Sequence, residues 1–157
     1  MNYYNYEYFS GANVKISFKN VDLSNSPDIE VIECAGLSYS VQNSQQPIYG
    51  YSSTQFDAML PGREIVQGNF VLNYIKPDYL LTDVLKNPLN QEGSRELSFN
   101  GFLADSFDIT VRFGNKNQIT IKNCYLISRG QTIQISEQVL LEEYGFLGRT
   151  LSYKNIN

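Results

Sequence analysis

Between residues 64 and 74 the sequence reads EIVQGNFVLNY, with Val66, Phe70, Leu72 and Tyr74 at one parity and Gln67, Asn69 and Asn73 at the other. Successive side chains of an extended chain point to opposite faces, so this run suits a strand buried on one side. A strand of that kind needs hydrogen-bonded neighbours and a second layer to cover its apolar face. The rest of the sequence supplies both. Val14, Ile16 and Phe18 alternate with Lys15, Ser17 and Lys19. Residues 29–41 read as a second long strand, with Ile29, Val31, Ala35, Leu37 and Tyr39 on one face. Within it Glu33 falls on the apolar parity and Gly36 interrupts the middle, which predicts a bulge near residues 33–36.

The C-terminal third repeats the pattern. Phe107, Ile109, Val111 and Phe113 alternate with polar residues, Gly114-Asn115-Lys116-Asn117 turns the chain, and Ile119, Ile121, Asn123 and Tyr125 follow. The pair reads as a hairpin. Residues 127–135 and 139–147 read as another, turning at Ser136-Glu137-Gln138, and Leu151 and Tyr153 add a short last strand. Only one helix is expected: Pro77 stops the strand before it, Asp78 caps it, and Tyr79 to Lys86 carry Tyr79, Leu80 and Val84 on its apolar side. The YYNYEYF run near the start is either an edge strand or an arm, covering residues 1–12. The expected fold is mainly β: an antiparallel β-barrel or sandwich with one short flanking helix, as a single domain over residues 1–157.

Composition then narrows the chemistry. The chain contains no histidine, which removes the commonest general base, the commonest metal ligand and any Ser-His-Asp or Cys-His nucleophile. Carboxylates recur as Glu30/Glu33, Asp105/Asp108 and Glu142/Glu143, but no pattern brings a pair into one cleft, as glycoside hydrolysis needs. They read as solvated strand ends and loop caps. No glycine-rich phosphate loop is present. Cys34 and Cys124 read as buried free thiols, a disulfide remaining the alternative, and two cysteines without histidine make no ordinary zinc site. The expectation is no enzyme, no cofactor and no metal. A net charge of −4 without a basic patch argues against a grip on nucleic acid. No stretch resembles a signal peptide or a membrane span, so the expected product is soluble and made in a cytoplasm.

One segment exceeds what a small barrel requires. Residues 47–62, PIYGYSSTQFDAMLPG, hold Ile48, Tyr49, Tyr51, Phe56, Met59 and Leu60 among turn-forming residues. So apolar a loop is either folded back on its own barrel or pressed against another chain. Arg63 and Glu64 follow it and read as an intersubunit ion pair or a solvated turn. Aromatic surface of this kind is often completed by assembly.

The runs PIYGYSSTQFD, PGREIVQGNFVLNYIKPDYL, FDITVRFGN and ITIKNCYLISRGQTIQISEQVLLEEYGFLGR together resemble bacteriophage tail proteins of the tail-tube and tube-initiator type, over residues 29–149. The resemblance implies a β-barrel or sandwich with one flanking helix. It also implies assembly into rings, six copies each, that stack into a tube within the virion tail. The partners would be further copies of the chain and neighbouring tail proteins, with DNA only as passing cargo and no membrane. The loop would then bridge to the next subunit or ring through Tyr49, Tyr51, Phe56, Met59, Leu60 and Arg63. The alternatives are a head–tail connector, a tail-completion or baseplate protein, or, in another class, a small carbohydrate- or peptide-binding β-sandwich.

Overall fold

A computed structural model describes residues 11, 14–22, 25–74, 79–80, 84–85, 106–115, 117–133, 135 and 138–155. In chain order the strands are β1 (Val14–Asn20), β2 (Ile29–Glu30), β3 (Cys34–Asn43), β4 (Gln46–Tyr49), β5 (Phe56–Leu60), β6 (Glu64–Asn73), β7 (Phe107–Phe113), β8 (Asn117–Gln131), β9 (Leu141–Gly148) and β10 (Thr150–Asn155). Eight of them form one antiparallel sheet in the order β2-β1-β7-β8-β9-β6-β3, with β10 also paired to β8. β4 and β5 form a separate two-stranded sheet.

The long sheet closes on itself. Its two ends, β2 and β3, are consecutive in the chain, and the Val31–Glu33 link between them bonds to both sides. The Val31 N–H donates to the Ile16 carbonyl at 2.9 Å, and the Asn73 N–H donates to the Glu33 carbonyl at 2.8 Å. The β2–β3 segment therefore joins β1 to β6 and completes a rolled barrel. The expected bulge lies in this segment, where the β3–β6 register shifts between Cys34 and Gly36. Glu33, the charge at apolar parity, accepts a 2.9 Å hydrogen bond from the Tyr79 hydroxyl.

β6 runs through the centre of the core, as its alternation demands. Val66, Phe70 and Leu72 are buried and face inward, while Gln67 and Asn69 stand on the outer face. The Phe70 ring lies 5.0 Å from Phe18 of β1, 5.1 Å from Tyr144 of β9 in a stacked pair, and 6.0 Å from Phe146. Aromatic rings at such spacings contribute beyond the apolar area they bury. Gly68 takes the inward position between Val66 and Phe70 because a Cβ there would meet the Phe146 ring and the Ser38 carbonyl. At the rim the Arg129 guanidinium pairs with the buried Glu142 and lies 5.9 Å from the centre of the Tyr144 ring.

Two sequence expectations are revised. β8 is one continuous strand of 15 residues, where the sequence suggested two. Its first half pairs with β7 and β10 and its second half with β9. The register shift between Leu126 and Ser128 bends it across the corner. Most of residues 47–62, expected as a loop, belongs to the β4–β5 hairpin. Of the expected helix, Tyr79, Leu80, Val84 and Leu85 are described. The last three are buried in the core, and the Leu85 N–H donates to the Leu80 carbonyl at 2.8 Å, a step one residue wider than an α-turn. Its cap at Asp78, the stop at Pro77 and the N-terminal run over residues 1–10 lie outside the described residues.

Candidate assembly surface

The β4–β5 hairpin grows directly out of the β3–β6 ladder. That ladder ends at the Asn43–Glu64 pair. Beyond it the Ser44 N–H donates to the Arg63 carbonyl at 3.2 Å, and the Ser44 hydroxyl accepts from the Arg63 N–H at 3.3 Å. A Cβ at Gly62 would collide with the Ser44 carbonyl, so glycine lets the two chains cross closely at the root. At the tip, the Ser53 N–H bonds to the Gly50 carbonyl at 3.1 Å. Ser52 takes a left-handed φ of 63°, and Tyr51 beside it is fully exposed.

Pairing sets the side chains on two faces, because directly opposed residues of an antiparallel pair share a face. Pro47 opposes Met59 and Tyr49 opposes Phe56, while Gln46 opposes Leu60 and Ile48 opposes Ala58. The register shift between Ile48 and Tyr49 leaves Asp57 unopposed. Both faces are therefore apolar and both are open. Tyr49, Phe56 and Leu60 keep at least half of their surface in water, and Tyr51 is fully exposed. β4 and β5 pair only with each other among the described residues. A lone two-stranded hairpin is marginally stable in water, so this arm gains order from whatever it packs against.

The arm thus brings together Tyr49, Phe56 and Met59 on one face with Tyr51 at the tip and Leu60 behind. Arg63 stands apart at the root, where its backbone fixes Ser44 and its side chain is exposed. Of the two placements open from sequence, folding back onto the barrel is not the one seen. No charged residue lies between Glu33 and Asp57, so the whole outgoing limb is neutral.

A second exposed apolar group escaped the sequence reading. Around the β8–β9 connection Ile133 and Val139 are about 70% exposed and Ile135 fully so, with Leu141 half exposed beside them. Beside them lies a groove of about 620 Å³ of mixed character, lined by Val71, Val139 and Leu141 together with Gln131, Gln138 and Glu143. Alternation alone assigned these residues to a half-buried hairpin. The available signal was the scarcity of charge, since only Glu137 lies between Arg129 and Glu142.

The cysteines are free thiols. Cys124 is buried, and burial, aided by the negative charge of Asp108, pushes its pKa up to about 12. Cys34 is half-buried and is also shifted upward by burial, against a weak bond to the Gly36 carbonyl. Among the described residues no group of three or more acidic or cysteine side chains is placed to hold a metal ion, and no helix is long and apolar enough to cross a membrane.

No protein-family model matches this sequence, and no curated protein matches it either. Solved structures do match in fold. A chain of the sheath–tube complex of an extracellular contractile injection system, in its extended state, superposes with a TM-score of 0.63 at 11% identity, over 98% of this chain and 95% of that one. The SPP1 tail tube gives a TM-score of 0.61 at 10% identity, over 94% of this chain and 79% of that one. The tail of an empty gene transfer agent particle with six-fold symmetry gives 0.60 at 11% identity, over 92% and 98%. The chain shares its fold with these tail and tube structures.

Proposed function

We propose that this chain is a structural protein of a phage-type tail, whose copies assemble into rings that form or extend the tube through which DNA is delivered. The observation that carries this reading is the arm: a two-faced apolar hairpin held away from a barrel of the tail-tube type. A monomer gains nothing from it, since apolar surface left in water costs about 25 cal/mol per Å². Tyr49, Tyr51, Phe56, Met59 and Leu60 are the proposed contact with the next subunit or ring, with Arg63 at the root. Six copies per ring is the proposed number, in keeping with the six-fold tail among the similar structures. The net charge of −4 suits a conduit, because like charge keeps DNA from sticking to the wall. The role is assembly rather than catalysis, and the place of work is the virion tail.

The purified full chain, concentrated and examined by light scattering and negative-stain electron microscopy, is expected to form rings or stacked tubes. A protein that stays monomeric at high concentration, or one that instead binds a glycan array, would sink this reading.

A further inference from the structure

Strand pairing gathers cations that lie far apart in the sequence. Directly opposed residues of antiparallel strands share a face, so the outer face of β1, β7, β8 and β10 can be followed across the strands. One row runs Lys15, Arg112, Gln118 and Lys154, and the next Ser17, Thr110, Thr120 and Ser152. Beyond them Lys19 opposes Asp108, and Lys122 opposes Thr150. The other parity of these strands, with Phe18, Ile109 and Ile121, fills the core. Lys15, Lys19, Arg112, Lys122 and Lys154 are all exposed. They are five of the chain's twelve Lys and Arg, and among the described residues the face holds two of its sixteen acids, Asp108 and Glu30 opposite Ser17. The rest of the chain is left with seven cations against fourteen acids. Nothing in the linear sequence brings Lys15 to Lys154, which is why no basic patch is visible there.

The fold does not balance this charge. Among the described residues none of the five cations forms an ion pair. Lys15 and Arg112 stand directly opposite each other, and like charges so placed destabilise a sheet. Asp108, the nearest acid by register, is bonded to the Asn123 N–H at 2.9 Å. A face that keeps an unfavourable pairing and leaves it uncompensated suits an anionic partner. Resting on the tail reading above for the choice among anions, we infer that this face docks an acidic segment of a second, different protein. Lys15 and Lys19 are four residues apart on one strand, so the basic ends of the face stand ~13 Å apart at ~3.3 Å per residue. Between them the small hydroxyls make a low floor that can donate hydrogen bonds to carboxylates. The segment that fits therefore carries its carboxylates in two lines with that spacing. A second copy of this chain does not fit. Face to face, cations would meet cations, and the exposed acids Asp28, Asp57, Glu64 and Glu143 stand on separate segments without a matching pair of lines. DNA is the other polyanion at hand, and a basic wall would hold it fast. In a tube that delivers DNA such a face belongs away from the conduit, where another protein can reach it.

Labelled poly-L-glutamate and a labelled DNA duplex are the probes, titrated with the full chain and read by fluorescence anisotropy at low and high salt. The unaltered chain should bind polyglutamate at low salt, more tightly than the duplex, and release it at high salt, as exposed charges do. Lys15→Gln with Arg112→Gln and Lys154→Gln should weaken that binding about tenfold, the sum of three exposed charge contacts. The triple variant should melt no lower than the unaltered chain, because a like-charge pair has been removed. Exchanging the cations, Lys15→Arg with Arg112→Lys, should leave binding unchanged. Polyglutamate bound equally by the triple variant would overturn the inference. A duplex bound more tightly than polyglutamate would also overturn it, and make the face a grip on nucleic acid. So would a triple variant that is folded yet forms no rings, since the face would then lie between copies. An unaltered chain that binds polyglutamate through these cations but never assembles removes the tail reading and leaves the face standing.

Discussion

Phe70 and Phe56 are the same side chain on two strands consecutive in the chain but in separate sheets, and they meet opposite fates. Phe70 lies in β6 where β3 and β9 flank it, β1 crosses above, and four aromatic rings surround it. Phe56 lies in β5, where only β4 is a neighbour and more than half of the ring meets water. The change between them is gradual along β3. At inward parity Leu37 is half-buried, whereas Tyr39 and Val41 are exposed although their β6 partners Gly68 and Val66 are buried. Apolar character is thus kept along the limb while its cover is withdrawn. Surface of that kind is explained by what it will touch, whereas surface like that of Phe70 is explained by what it already touches.

Removing the ring in the body gives the largest effect. Phe70→Ala opens a cavity among Phe18, Tyr144 and Phe146, and should lower the free energy of unfolding by about 3–5 kcal/mol in urea titration. A loss below 1 kcal/mol would mean that the core closes over the gap, and the contrast between the regions would lose its basis.

A smaller effect comes from a buried group the arm lacks. Burial raises the pKa of the Cys124 thiol to about 12 in the fold, against an ordinary 9.0. Below pH 9 it is protonated in both states and favours neither. Above pH 9 the unfolded chain sheds the proton and the folded chain retains it, so stability falls as pH rises towards 12, by about 1 kcal/mol at pH 10. Cys124→Ala should flatten that part of the stability–pH curve, although the truncation itself lowers it throughout. An unchanged slope would show that the thiol titrates freely in the folded protein.

How far these differences were legible depends on what each required. Strand identity needed only local alternation, and β1, β6, β7 and the first half of β8 were readable for that reason. The bulge near Cys34–Gly36 was readable from one misplaced charge and one glycine. The continuity of β8 was not, because the register shift at Leu126–Ser128 breaks the period where the strand turns the corner. The hairpin in the arm was hidden likewise: each limb is only four or five residues long, and the shift at Ile48–Tyr49 puts Asp57 out of phase. The exposure of Ile133, Ile135 and Val139 was hidden from alternation, which matches that of buried strands, and only the scarcity of charge around them hinted at it. What separates them is where the barrel ends, and a long-range closure through β2–β3 decides that.

The smallest expected effect is the sharpest test of the comparison. Phe56→Ala removes the same atoms as Phe70→Ala from a ring that touches little of its own chain. Its cost to unfolding should stay within about 0.5 kcal/mol, the range of surface substitutions away from special contacts. Under assembling conditions the same substitution should raise the protein concentration needed for rings or tubes, because the cost falls on the contact between copies. A loss of 2 kcal/mol or more in dilute monomer would mean that the arm packs on its own barrel in solution, and Phe56 would then belong with Phe70.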